Sequence, residues 1–397
     1  MRLHAWRYSP LAGTHDTGVA VPMRAALPEP HGRAAKGSPM WLDLLAALGG
    51  VVLVALSLRD IFLAVIPRAS NRTWRASGTL SRVGWPLWKR IAANLNEHGR
   101  RDEFLSLFAP FNLFVQIGIW ITLLILGFGG IFYALRDHLH PHPNGPGAIY
   151  FAGVTLLTIG FGDIVPGNGL TRLVALMTGA TGVTIIAVLA SFLLTMLAAF
   201  NRREEFVVRL SARAGAPPSG IGLLMFCAET KSPQELSAFL REAESWCVST
   251  LDQTLAYPQI ALFRSAHDNH SWMSSLGAVL DAAAITVTTV DAPYAQAEAR
   301  ALLGAARHLL SDLANYYMLP HAPGERIDEI QFGLACDRLE SAGYTLRDRH
   351  DAFAAFSRIR HFYSGHLEQM ARWLASDVTV WLAEPSANEL GHPMHVR

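Results

Sequence analysis

The residues best placed to do chemistry in this 397-residue chain form one run, Thr155-Leu156-Leu157-Thr158-Ile159-Gly160-Phe161-Gly162-Asp163. Glycine at positions 160 and 162 opens backbone angles that are costly for other residues. A strand using those angles at alternate positions turns the carbonyls of Thr158, Ile159, Gly160, Phe161 and Gly162 to one side. A row of carbonyl oxygens can replace the hydration shell of a cation without introducing full negative charges. The Thr158 hydroxyl adds an oxygen at one end of the row, and the Asp163 carboxylate adds charge and a hydrogen-bond acceptor at the other. One strand supplies only part of a cage, and the run occurs once per chain, so several chains around an axis are expected.

Such a strand needs rigid elements on both sides. Before it, Pro146 and Gly147 introduce an apolar segment too short to cross a bilayer. A segment of this kind is tolerated at membrane depth only where protein or a water-filled path surrounds it, so it is expected to enter and return. Residues 104–135 and 173–201 contain no Asp, Glu, Lys or Arg, and each exceeds the roughly 20 apolar residues that span a hydrocarbon core as helix. Pro110 suits the first turn of an outer helix over 110–135, with residues 104–109 at the interface. A further apolar stretch within 41–66 reads as the first span. It contains Arg59 and Asp60, which snorkelling or mutual pairing would accommodate.

Charge orients these spans. Residues 67–103 carry Arg68, Arg72, Arg75, Arg82, Lys89, Arg90, Arg100 and Arg101 against Glu97, Asp102 and Glu103. By the positive-inside rule this basic loop is cytoplasmic. Arg202 and Arg203 follow the last span and put the carboxy-terminal half on the same side, leaving residues 136–172 outside. The whole chain is balanced, with 33 Lys+Arg against 32 Asp+Glu, which removes any bulk argument for nucleic acid as a partner. Only 16% of residues are charged, against roughly 25% in soluble domains. Cys227, Cys247 and Cys336 lie far apart, giving neither a disulfide framework nor a zinc site. Residues 1–40 include Arg2, Arg7, Arg24, Arg33 and Lys36 without a signal-peptide apolar core. They read as a disordered tail, or as untranslated with synthesis starting at Met40.

The run from Thr155 to Asp163 resembles the selectivity filter of the potassium-channel family, whose pattern is Thr, two spacers, Thr, Val or Ile, Gly, Tyr or Phe, Gly, Asp. The resemblance covers residues 109–200. It implies an all-α membrane protein with a pore domain over 104–200, a re-entrant pore helix over 147–157, a filter over 158–163 and an inner helix over 173–200. It also implies K+ as the permeant ion at Thr158, Ile159, Gly160, Phe161 and Gly162, supported by Thr155 and Asp163. A homotetramer in membrane lipid follows from the resemblance, at a bacterial inner membrane, with no enzymatic activity, no cofactor and no structural metal. Phe161 stands where many members have tyrosine, and Tyr150 and Phe151 stand where some have a tryptophan cuff. Gly182 matches the family's gating-hinge glycine, with Gly179 beside it, although close helix packing accounts equally well for both. A weakly selective cation channel and a membrane-anchored signalling or interaction protein with a vestigial pore are the alternatives. No apolar span carries the arginine repeat that voltage sensing needs.

Residues 201–397 read as a helical cytoplasmic domain with an unknown ligand or partner. Ser232, Pro233 and Glu235 suggest an N-cap, a first-turn proline and a capping-box acid. Leu236, Phe239, Leu240, Ala243 and Cys247 follow at helical spacing, as do Leu302, Ala306, Leu309, Leu313 and Tyr316, and then Phe353, Phe356, Ile359, Tyr363, Leu367 and Met370. Gly220-Ile-Gly222 lacks the third glycine of a dinucleotide fingerprint. His138, His140 and His142 beside Asp137, and His267, Asp268 and His270, read as solvated loop residues.

Overall fold

The computed structural model describes residues 39–65, 76–95, 98–230, 232–265, 271–320, 323–376 and 381–382. The tail before Pro39, Arg68, Arg72, Arg75, Glu97 and the group His267, Asp268 and His270 lie outside the described residues. The chain divides into Met1–Met40 and Trp41–Arg397, and the fold described here is that of the second unit.

The first helices are α1 (Met40–Val65), α2 (Ala76–Ala92), α3 (His98–Ser106) and α4 (Phe108–Ala134), followed by the short α5 (Gly145–Leu156) and the long α6 (Gly169–Ala214). Among the described residues, three stretches are long and apolar enough to cross a membrane: Met40–Val65, Gly99–Ala134 and Gly169–Ala214. The chain is thus an integral membrane protein of helical class. Glycines bring α1 against α4. A Cβ on Gly127 would lie 2.8 Å from Val54 and 2.9 Å from the Gly50 carbonyl oxygen, so the missing side chains permit backbone contact. The charged pair expected to trouble the first span separates. Asp60 is buried and accepts a hydrogen bond from the Trp120 indole at 2.8 Å, while Arg59 is exposed. At the other end of α1, Asp43 pairs with Arg136 at 2.6 Å.

Several boundaries differ from the sequence expectation, and side-chain caps account for two of them. Asn144 accepts from the Gly147 amide at 2.9 Å and starts α5 two residues early. Asn168 and Thr171 form a capping box that starts α6 at Gly169. The helix then runs unbroken through Arg202 and Arg203 to Ala214, 46 residues or about 69 Å at 1.5 Å per residue. The basic segment is also more ordered than a loop, since it contains α2 and α3.

The carboxy-terminal half adds α7 (Gly220–Glu229), α8 (Pro233–Ala256), α9 (Trp272–Thr288), α10 (Gln296–Tyr316), α11 (Glu329–Ser341) and α12 (Arg349–Leu374). α9 is the core helix, buried along nearly its whole length, with α7, α8, α10 and α12 packed around it. The apolar stripes read from the sequence face this core, as Leu240, Leu302, Leu309 and Phe356 illustrate. Ser232 does precede α8, but its hydroxyl donates to Gln234 Oε1 at 3.1 Å and makes no capping bond. Glu235 faces Arg213 of α6. Gly220 and Gly222 serve close packing: a Cβ on Gly220 would lie 2.7 Å from the Ala282 amide nitrogen of α9.

Candidate functional site

The run from Thr158 to Gly162 hangs between two anchors. Upstream, α5 packs into the angle between α4 and α6, with Phe151 edge-on to Phe132 at 4.7 Å. Its end is tied off by bonds from the amides of Leu157, Thr158 and Ile159 to the carbonyls of Gly153, Thr155 and Val154, at 2.9, 3.1 and 2.9 Å. Downstream, β1 (Leu139–His140) pairs antiparallel with β2 (Val165–Pro166), and the Gly167 amide donates to the His138 carbonyl at 2.8 Å. Beyond them the α6 capping box closes the unit.

Between the anchors the backbone alternates. Thr158, Gly160 and Gly162 take φ of +59°, +66° and +78°, and Ile159 and Phe161 do not share this left-handed conformation. The two glycines were legible in the sequence as permissive positions, whereas Thr158 was not. A β-branched residue in this region is a conformational outlier, worth about 1–3 kcal/mol of strain. The Thr158 and Ile159 amide bonds at the end of α5 hold it there. No atom lies within 4 Å of a Cβ built on Gly160 or Gly162, so these positions demand glycine for their angles alone. Ile159 and Phe161 are 51% and 68% exposed in the single chain.

Of the remaining sequence-identified residues, Gly182 has a well-defined neighbour. A Cβ there would lie 1.8 Å from the Leu156 carbonyl oxygen, so α6 meets the last turn of α5 backbone to backbone, and α6 is helical throughout this region. Gly179 stands near the Thr155 carbonyl, at 3.8 Å from its built Cβ. His140 and His142 are neighbours with ring centroids 5.6 Å apart, and His142 Nδ1 lies 3.3 Å from the Arg136 carbonyl. Among the described residues no group of three or more His, Cys, Asp or Glu could hold a metal ion. The three cysteines are buried, and burial pushes the Cys227 thiol up to about 12, which removes it as a nucleophile.

Sequence reasoning missed the joint where the carboxy-terminal half grips α6. Arg203, read as a basic flank, is buried. It donates to Glu204 Oε1 at 2.8 Å and to the carbonyls of Ile260 and Phe263 at 2.9 and 2.7 Å. Its guanidinium also sits over the rings of Phe200 and Trp272, and the Trp246 indole donates to its carbonyl at 3.1 Å. The pair Arg202-Arg203 at the end of an apolar run was the available signal, and its burial became visible only in three dimensions.

The family comparison falls on the segment that holds α5 and the run from Thr158 to Gly162. Residues 120–199 match the family described as Ion channel. The uncharacterized membrane protein YdjJ of Bacillus subtilis is 30% identical over 125 residues, 30% of this chain and 36% of that one. The intermediate conductance calcium-activated potassium channel protein 4 of Rattus norvegicus is 27% identical over 181 residues, 44% of this chain and 39% of that one. The chain therefore spans well under half the length of these relatives. No solved structure matches. The residues matched by the ion-channel family run from within α4 through the short α5 into α6, and the proteins similar to this chain include some named as potassium channels.

Proposed function

We propose that four copies of this chain form a passive potassium-selective pore, in which α5 is re-entrant and Thr158 to Gly162 supply the ion sites. In this reading the channel is not an enzyme and is not gated by a voltage sensor. The observation that supports this reading most is the alternation of left-handed angles at Thr158, Gly160 and Gly162. Alternation on one strand directs successive carbonyls toward one side, and four strands around an axis stack them into cages that substitute for water around K+. The exposure of Ile159 and Phe161 fits a ring in which neighbouring copies cover them. Thr155 and Asp163 support the strand. The basic segment and the carboxy-terminal half lie on the cytoplasmic side in this reading.

Flux of K+ and Na+ through the full-length protein in liposomes tests it. Gly162→Ala abolishes selective K+ flux while the tetramer persists, because alanine meets no atom of its own chain but costs roughly 1–2 kcal/mol per chain for its angle. Undiminished selective flux in that variant rejects the filter assignment. Equal K+ and Na+ flux in the parent favours a weakly selective cation channel, and no flux from a well-folded parent favours a signalling or interaction protein.

A further inference from the structure

The helix α2 has two apolar faces, and the fold uses one of them. Ser81, Trp85 and Ala92 are buried, with Trp85 packed on Phe108 of α4 at 5.0 Å. The Trp85 indole and Lys89 ammonium both donate to the Trp373 carbonyl, at 2.7 and 2.8 Å. On the opposite side Val83, Leu87 and Ile91 recur every fourth residue and are 67%, 58% and 48% exposed. Arg90 borders this stripe and is exposed. A helix with a basic border and an open apolar stripe of this spacing has the form that lies in a membrane interface.

Its position on the chain fixes what covers it. α2 packs against α3 and the first turns of α4 through Trp88, which stacks on Phe104 at 4.6 Å and meets Phe111 at 5.3 Å. From residue 112 to Ala134 the helix already measures about 35 Å, enough for the roughly 30 Å core. Phe104 to Phe111 therefore lie at headgroup level, and α2 lies there with them. Leu107, Phe111 and Phe114 leave an exposed apolar surface at this same end of the span. α3 adds exposed Arg101, next to Asp102, which turns to Arg264 at 3.0 Å, and Glu103.

We propose that α2 is an interfacial anchor that seats Val83, Leu87 and Ile91 in the acyl boundary of the leaflet. Arg90 and Arg101 meet anionic lipid headgroups there. The helix is then clamped between the leaflet on one face and the end of α12 on the other. This inference rests on membrane insertion and is independent of which ion the pore passes.

Spin labels on Val83→Cys, Leu87→Cys, Ile91→Cys and Arg90→Cys of the full-length protein in vesicles test it, the native cysteines being buried. Labels at 83, 87 and 91 relax faster with oxygen than with a water-soluble nickel chelate, and the label at 90 shows the reverse order. Nickel dominance at all four sites overturns the anchor, as does dipolar broadening between copies at 87, which identifies the stripe as a subunit contact. In vesicles of phosphatidylcholine and phosphatidylglycerol, the parent prefers spin-labelled phosphatidylglycerol. Arg90→Gln with Arg101→Gln brings that preference toward unity, each charge contributing up to about fivefold at low salt. An unchanged preference overturns the assignment of these arginines to anionic headgroups.

Discussion

Single residues already separate competing accounts of the pore. At Gly182 the Leu156 carbonyl leaves no room for a methyl group, and overpacking of this kind costs about 1–3 kcal/mol, more than the gain of about 1 kcal/mol from alanine's helix propensity. Gly182→Ala is expected to lower the thermal stability of the assembled protein and to degrade K+/Na+ selectivity by displacing the end of α5. Unchanged stability with altered open probability would favour a hinge instead. The permissive glycines at 160 and 162 and the small residue at 182 were legible in the sequence because backbone angle and close approach restrict residue type. The strained Thr158 was not, and for Gly182 the sequence left hinge and close packing level, since both depend on which carbonyl a folded neighbour presents. A second residue concerns the carboxy-terminal half. Burial holds the Asp281 carboxyl above the usual range, although Arg360 and the Tyr363 hydroxyl pull it down. The unfolded chain releases that proton first, so this contribution to stability is whole below about pH 3.9 and is lost as pH rises through the folded value. The melting temperature of Asp281→Asn should therefore gain on that of the parent as pH rises through this window; a constant difference would reject the raised carboxyl.

At the scale of elements, the spans and the amphipathic stripes could be read from composition and period, whereas the joints between elements could not. The apolar run that ends at Asn201 looked like the end of a helix, because charge ordinarily marks the exit from a membrane. Instead Arg203 finds two carbonyls, a carboxylate and two rings inside protein, and α6 continues. Removing the guanidinium strands those partners in a buried joint, and Arg203→Met should destabilise the protein by about 3–5 kcal/mol, read by chemical denaturation in detergent. The second joint is milder. Trp85→Phe loses one indole bond to the Trp373 carbonyl and should cost about 1 kcal/mol, while hydrogen exchange rises in α2 and at the end of α12 and stays unchanged in α5. Uniform exchange would mean that α2 is not latched separately.

For the whole molecule, the two halves share a single helix, and the domain-scale expectation follows from that. Deleting residues 215–397 removes α7 to α12 and strips the cover from Phe206, Val207 and Leu210, which lie in the main core. Single-channel recording of that truncation beside the full chain should show a changed open probability with unchanged selectivity. Equal open probability across pH and candidate ligands would make the carboxy-terminal half a docking module only. The 46-residue length of α6 has a mechanical meaning as well. Gly182, pressed against the end of α5, would serve as a fulcrum for any load that the carboxy-terminal half places on Arg203, 21 residues away or about 32 Å along the rod. A sideways displacement of about 1 Å at Arg203 tilts a rigid rod of that arm by about 2°. The same tilt bears on the carbonyl of Leu156, two residues before the first strained residue of the strand.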